Sequence, residues 1–223
     1  MPRAARVLGA DVLPQLYGRL YDRYGDLHWW PARSPYEVMV GAVLTQNTAW
    51  RNVEKAIARF GDRLSPRFVE EARIEDLAEI IRPAGFFNQK AAYLKTLTAW
   101  FKGYGYSVRA VRPEPLAALR AELLALRGVG AETADAVLLY AFGFPVFVAD
   151  AYALRLLSRL TASGASVRLE EARALFTAGL DASLYGNAHA MIVANAKAHC
   201  RAKPVCAGCP LADLCETQRE NIS

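Results

Sequence analysis

The sequence predicts an all-α fold, and three observations lead to that prediction. Apolar residues recur at helical spacing in most segments of the 223-residue chain. Only one short run, PVFVA at 145–149, has the composition of a strand, and it is too short to build a sheet. Hydrophobic residues make up 53% of the chain, enough to bury a core and too many for a disordered protein.

The helices can be placed in order along the chain. Segment 11–24 has leucines at helical spacing, and it is followed by a start signal at SPYE. In that signal Ser34 can cap the helix, Pro35 suits its first turn, and Glu37 completes a capping box. Further helices are predicted at 52–60, 74–81, 89–103, 115–126, 131–142, 150–160, 170–180 and 185–199.

Charge and composition limit the classes of partner. The net charge of +5 and the pI of about 9.1 suit a polyanion without requiring one. No apolar run reaches the roughly 20 residues that span a bilayer, and the N-terminus lacks the apolar core of a signal peptide. We therefore expect a cytosolic protein with no membrane partner, and a monomer of 24.5 kDa is sufficient.

A glycine turn separates two of the predicted helices. After an apolar helix ending near 126, the chain passes through Gly128, Val129 and Gly130 and enters the next helix. Glycine permits close backbone approach, and the first amides of a helix favour an anion such as a phosphate. The pattern indicates a helix-hairpin-helix element that binds the DNA backbone without reading sequence. An ordinary helix–helix turn is the alternative.

An aspartate follows this hairpin. Asp150 lies beyond one complete helix and the run PVFVA, directly before another helix. Its simple role is an N-cap. A carboxylate held there by backbone amides would also be a fixed negative charge, which stabilises the cation-like sugar of a breaking glycosidic bond.

All four cysteines fall in one short segment near the C-terminus. Their spacing is Cys200-x5-Cys206-x2-Cys209-x5-Cys215. Four clustered thiolates in a cytosolic chain favour a metal site over disulfides. They can enclose zinc or a [4Fe–4S] cluster, and the single close pair favours the cluster.

Together these motifs resemble the endonuclease III superfamily of DNA glycosylases, from about residue 20 to the C-terminus. The resemblance implies a two-lobe helix-hairpin-helix fold with a C-terminal iron–sulfur loop. In LTQNT at 44–48, Gln46 would fill the gap left by a flipped base, and in GFFNQKA at 85–91, Phe86 would intercalate. The turn from Arg127 to Gly130 would contact DNA. The first cysteine gap has five residues, where the family has six.

Glu132 departs from the bifunctional members of this superfamily. Those members carry a lysine at this position, whose amine forms a Schiff base with the sugar and leads to strand cleavage. A carboxylate cannot do so, and no lysine lies between Lys102 and Lys197. An attacking amine would have to be the N-terminus or a distant lysine such as Lys90. We therefore expect a monofunctional glycosylase, unless Glu132 is only a surface residue.

Tryptophans suggest which base is removed. HWWP at 28–31, LTQNTAW and the hairpin sequence resemble the 3-methyladenine DNA glycosylase III branch. There, aromatic residues sandwich an electron-poor alkylated purine, so Trp29, Trp30 and Trp50 would be the stacking residues. Plain core packing is the alternative for these tryptophans. Members of that branch can lack the cluster, so oxidised pyrimidines also remain open as substrates.

The expected architecture is two helical lobes with a cleft between them. One lobe is a helical barrel at 34–144 that contains the hairpin, and the other combines 1–33 with 145–223 and carries the cluster loop. Double-stranded DNA with damaged bases would be the partner, and the damaged nucleotide would rotate out of the duplex. Two other functions fit the same sequence: a DNA-lesion-binding protein without catalysis, and a metal-stapled interaction protein.

Overall fold

The computed structural model describes residues 12–161 and 166–215. Within these residues the protein contains twelve α-helices and no strand, which confirms the all-α prediction. The run PVFVA forms no strand, in line with its being too short to build a sheet. None of the helices described is long and apolar enough to cross a membrane. Residue 11, the predicted first residue of the first helix, lies outside the described residues.

The chain divides into two compact units. One unit is Trp30–Phe144, and the other combines the residues before Trp30 with those from Pro145 onward. The helices of the Trp30–Phe144 unit, here the hairpin unit, are α2 (Pro35–Leu44), α3 (Trp50–Phe60), α4 (Pro66–Glu71), α5 (Ile74–Ile80), α6 (Phe87–Gly103), α7 (Val108–Val111), α8 (Leu116–Ala125) and α9 (Ala131–Ala136).

The hairpin unit is built around α2. Every residue of α2 from Val38 to Leu44 is buried, as expected of a central helix that is apolar on all sides. Its start follows the sequence signal, since the Ser34 hydroxyl accepts a hydrogen bond from the Glu37 backbone N–H. Helices α4 and α7 were not predicted; they have six and four residues, too few to show a helical period.

The second unit, here the aspartate unit, has a smaller helical core. Its helices are α1 (Val12–Tyr24), α10 (Ala151–Leu160), α11 (Leu169–Gly179) and α12 (Tyr185–Ala198). The rings of Phe147 and Phe176 stack with their centroids 3.8 Å apart, and both side chains are fully buried. Phe147 belongs to the run PVFVA, whose residues 146–149 are all buried, so this run is a packed connection into α10.

Candidate functional site

The glycine turn of the hairpin joins α8 to α9. Gly128 has a φ of +86°, and a Cβ there would lie 2.2 Å from the ring of Tyr93, so only glycine fits. Gly130 differs, because its φ is −87° and a Cβ would meet nothing within 4 Å. Val129 is buried and anchors the turn, whereas Arg127 is exposed. The first amides of α9 follow this turn directly.

A buried ion pair holds the two hairpin helices together. The guanidinium of Arg120 on α8 donates two hydrogen bonds, of 2.7 and 3.2 Å, to the carboxylate of Asp135 on α9. Asp135 is fully buried. Glu132, in the first turn of α9, is exposed. The sequence interpretation missed Arg120 and Asp135, because an ion pair between two helices has no local signature.

The turn after α2 contacts the hairpin through Gln46. The side-chain amide of Gln46 donates hydrogen bonds of 2.9 Å to the Gly128 carbonyl and to the Thr133 hydroxyl. The next residue, Asn47, is exposed and has a φ of +50°. Asn47 therefore forms the tip of this turn, and the sequence interpretation did not single it out.

A second exposed tip precedes α6. Phe86 caps this helix in the left-handed conformation, with φ 47° and ψ 31°, and 65% of the residue is exposed. A left-handed conformation is unfavourable for a bulky residue, so this backbone is strained. An exposed phenylalanine held in this way is consistent with the predicted wedge.

Lys90 lies one turn after Phe86 and is buried, with 2% exposed. Its ammonium donates three hydrogen bonds of 2.8 Å, to the carbonyls of Leu44 and Ala84 and to the Thr48 hydroxyl. Burial lowers the pKa of Lys90 to about 8. All three ammonium protons are thus engaged inside the protein, which leaves Lys90 poorly placed to act as an attacking amine.

Aromatic side chains form a cluster within the hairpin unit. The ring of Trp30 lies 5.3 Å from that of Trp50 and 5.4 Å from that of Tyr140, measured between centroids. A Cβ added to Gly41 of α2 would come within 3.1 Å of the Trp30 indole, so this glycine makes room for the ring. All three aromatic residues are only half-buried, as is Trp29.

Tyr140 was missed from the sequence. It lies on a π-helical segment, Val137–Ala141, that follows α9 directly. Single π-turns are rare and are frequently found at functional sites. The widened turn has no clear sequence signature, because the run reads as ordinary helix.

In the aspartate unit, Asp150 caps α10 as predicted. Its Oδ1 accepts a hydrogen bond of 2.8 Å from the Ala153 N–H, and Oδ2 lies 3.5 Å from Nε2 of His189 on α12. Asp150 and His189 are both buried, with 6% and 8% exposed. Burial alone would raise the pKa of the Asp150 carboxyl, but His189 and the backbone N–H groups of Ala153 and Tyr152 hold this pKa below its usual value. The carboxylate is therefore charged at neutral pH.

The four cysteines also lie in the aspartate unit. Cys200, Cys206, Cys209 and Cys215 all line one pocket of about 400 Å³, part of which is open to solvent. The Arg159 guanidinium donates a hydrogen bond of 3.1 Å to the Cys200 sulfur. Across residues 12–161 and 166–215, no three His, Cys, Asp or Glu side chains are grouped closely enough to hold a single metal ion.

A helical hairpin with a glycine turn and a buried aspartate that caps a later helix are features of the helix-hairpin-helix class of DNA glycosylases. The chain belongs to the HhH-GPD superfamily of base excision DNA repair proteins, whose pattern it matches over residues 40–179. This membership confirms the resemblance to the endonuclease III superfamily.

Three relatives show the range of this similarity. A candidate DNA repair glycosylase of Methanocaldococcus jannaschii is 41% identical over 211 residues, which cover 92% of this chain and 96% of the relative. A trapped covalent intermediate of endonuclease III with DNA has a TM-score of 0.82 and 25% identity, covering 97% of this chain and all of that one. The H. pylori 3-methyladenine DNA glycosylase bound to 1,N6-ethenoadenine has a TM-score of 0.72 and 28% identity, covering 85% and 97%. The chain is thus a DNA repair glycosylase by family.

Proposed function

We propose that this DNA repair glycosylase is monofunctional: it removes a damaged base by hydrolysis and leaves the strand intact. The observation that carries the proposal is the buried, ionised carboxylate of Asp150. A fixed negative charge in a site of low dielectric stabilises the cation-like sugar that forms as the glycosidic bond breaks. The same carboxylate can orient a water molecule and accept its proton.

The absence of strand cleavage follows from Glu132. This residue occupies the first turn of α9, where a lyase of this superfamily would carry its amine, and a carboxylate cannot form an imine. Lys90, the distant lysine that could have supplied an amine, has its ammonium enclosed by three acceptors. The endonuclease III relative was trapped as a covalent intermediate with DNA, and we expect no such intermediate here.

The favoured substrate class is alkylated purines. Trp30, Trp50 and Tyr140 provide half-buried aromatic faces in one cluster, and Trp29 is adjacent in sequence. Aromatic faces attract a positively charged ring, and a charged alkylpurine leaves more readily than a normal base. The similarity to a 3-methyladenine glycosylase that was solved with an ethenoadenine agrees with this choice.

DNA contacts are assigned to three segments of the hairpin unit. The turn formed by Arg127, Gly128, Val129 and Gly130 would bind the phosphate backbone through its amides and the Arg127 side chain. Phe86 would intercalate as the wedge. In the turn after α2, the resemblance places Gln46 in the gap left by the flipped base. Because the Gln46 side chain is hydrogen-bonded to the hairpin, Asn47 is the exposed residue at the tip of this turn.

We also assign a [4Fe–4S] cluster to Cys200, Cys206, Cys209 and Cys215. These four cysteines would hold it, since four thiolates are the ligand set of such a cluster and all four line one pocket. When bound, the cluster supplies a covalent staple for a segment with little core of its own. Anaerobically purified protein should contain about four irons per chain. One zinc and no iron would support the zinc alternative.

The alternative substrate class is oxidised pyrimidines, removed by an endonuclease III-like glycosylase and lyase. The higher TM-score to endonuclease III, 0.82 against 0.72, is the observation that favours it. A catalytically weak lesion-binding protein is the other alternative, but a buried and ionised Asp150 would then have no role beyond its cap.

A panel of duplexes, each with one defined lesion, separates these possibilities. We expect the protein to release an alkylated purine and leave an abasic site that breaks only after alkali. Breakage without alkali on an oxidised pyrimidine would support the glycosylase and lyase alternative. Binding without release on every duplex would support the lesion-binding alternative.

A further inference from the structure

The two exposed tips of the hairpin unit share a left-handed backbone conformation. Asn47 has a φ of +50° and Phe86 a φ of +47°. Asparagine tolerates this region, but for phenylalanine it is a genuine outlier. Strain of this kind persists only where the surrounding structure fixes the backbone, and it is concentrated at functional sites. Some part of the protein must therefore hold these tips.

Lys90 is placed to do this. Its side chain reaches both segments: it binds the Leu44 carbonyl and the Thr48 hydroxyl on either side of Asn47, and the Ala84 carbonyl before Phe86. The Thr48 hydroxyl also hydrogen-bonds the Ala84 carbonyl, which joins the two segments directly.

The main chain of Lys90 adds a further contact with the second tip. Its N–H donates a hydrogen bond of 3.0 Å to the carbonyl of Phe86 itself. This is the first hydrogen bond of α6 and does not depend on the side chain at position 90, so near this tip the ammonium itself contacts the Ala84 carbonyl. A buried ammonium with three short hydrogen bonds is also a rigid connection, because breaking any of them leaves a buried polar group unsatisfied.

We propose that Lys90 is a positioning residue that fixes the tips at Asn47 and Phe86 in their left-handed conformations before DNA is bound. This inference rests on the proposed function, in which both tips enter the duplex beside a flipped nucleotide. Pre-formed tips would spare the protein the cost of ordering two turns when it meets a lesion.

The chain offers a matched control on the same helix. The ammonium of Lys95, one turn and a half further along α6, also donates to backbone carbonyls, those of Glu70 and Ala72. These carbonyls lie at the end of α4, away from both tips. Lys95→Met therefore removes comparable hydrogen bonds between a lysine and distant backbone carbonyls, and it leaves the tips at Asn47 and Phe86 unchanged.

The test compares wild type, Lys90→Met and Lys95→Met. The probe is a duplex with a tetrahydrofuran abasic site beside 2-aminopurine, whose fluorescence rises when it is unstacked. We expect Lys90→Met to give no fluorescence rise. Its ratio of affinities for the abasic and the intact duplex should fall roughly tenfold, because the turn at Phe86 is no longer held in its strained conformation. Lys95→Met should keep both. Equal behaviour of the two variants would overturn the inference.

Two further measurements keep the test decisive. Thr48→Val removes one acceptor of the ammonium, so it should give a smaller loss in the same direction even if Lys90→Met does not fold. Hydrogen exchange of segments 44–48 and 82–88 in the free protein should be faster in Lys90→Met and unchanged in Lys95→Met. Hydrogen exchange requires no DNA. It therefore tests the role of Lys90 even if the wild-type protein does not bind the abasic duplex and the proposed function is wrong.

Discussion

Lys90 in the hairpin unit and Asp150 in the aspartate unit are both buried charges, and their ionisation responds to burial in different ways. Around the Lys90 ammonium the structure places neutral oxygens, and burial lowers its pKa to about 8, which disfavours the charge. At Asp150 burial also opposes the charge, but His189 and two backbone N–H groups outweigh it. Burial therefore disfavours the charge at Lys90, which connects backbone segments, whereas hydrogen bonds overcome the same penalty at Asp150, the residue assigned to the reaction.

This difference also separates the roles of the two units. The hairpin unit carries the glycine turn, the tips and the aromatic cluster, all of which would recognise DNA. The aspartate unit carries the charge that would act on the sugar. Changes in the first unit should therefore affect binding and folding, and changes at Asp150 should affect the reaction alone.

The largest effect is expected for Asp150→Asn. Asparagine is as good an N-cap as aspartate, so the fold and DNA binding should be kept. Loss of the negative charge should slow base release roughly 100- to 1000-fold, as the loss of one electrostatic contact to a transition state does. Single-turnover excision and a binding titration measure the two effects. Asp181→Asn, another capping aspartate, is the control and should remain active.

The two glycines of the hairpin should differ clearly in their effect on stability. Gly128→Ala places a methyl group against the Tyr93 ring at a positive φ, and should lower the free energy of unfolding by at least about 2 kcal/mol. Gly130→Ala meets no neighbour, so its stability should change by less than about 0.5 kcal/mol. Its methyl group should instead weaken binding to all DNA sequences equally. Denaturation curves measure the stability of both variants, and binding curves at fixed salt measure their affinity for DNA. Equal destabilisation by the two substitutions would contradict the turn geometry described for Gly128 and Gly130.

Lys90 should be detectable through the pH dependence of stability. Its pKa is about 8 in the folded protein and 10.5 when exposed, so between these values the unfolded chain holds more protons and stability rises with pH. Between pH 8 and pH 10.5, the free energy of unfolding of the wild type relative to that of Lys90→Met should rise by about 3 kcal/mol. Unfolding curves at several pH values measure it. A flat or falling difference would mean that burial does not disfavour the Lys90 charge.

His189→Gln tests whether His189 keeps the Asp150 carboxylate charged, and it should have the smallest effect. Without the imidazole the pKa of Asp150 should rise, so the acid limb of the pH–rate profile should move to higher pH. The coupling between the two residues should be about 1 kcal/mol, within the range for groups in contact. In an Asp150→Asn background the His189 substitution should have no further effect. Additive losses would show that His189 acts independently of Asp150.

Local signals made much of this molecule predictable from its sequence. The Ser34 cap, the Asp150 cap and the glycine turn each depend on residues within a few positions of one another. Helical spacing likewise located the longer helices to within a few residues. The four cysteines are also close in sequence and line one pocket, and the cluster that they would bind stays a prediction.

The remaining features depend on contacts between distant segments. His189 meets Asp150 only because α12 packs against α10, and Lys90 meets Leu44 only because α6 lies beside the end of α2. From sequence, Lys90 was a candidate amine, and its burial is a tertiary property. The π-helical turn that carries Tyr140 has no periodic signal of its own.

Borohydride trapping on the best substrate duplex decides whether this glycosylase releases a base without forming an imine, as we propose. Wild-type protein should consume the substrate and yield abasic sites that break only with alkali. Borohydride should trap no covalent complex, because Glu132 offers no amine and the Lys90 ammonium is enclosed. A trapped complex with the wild-type protein would contradict the account, since it would require an amine elsewhere in the chain to attack the sugar.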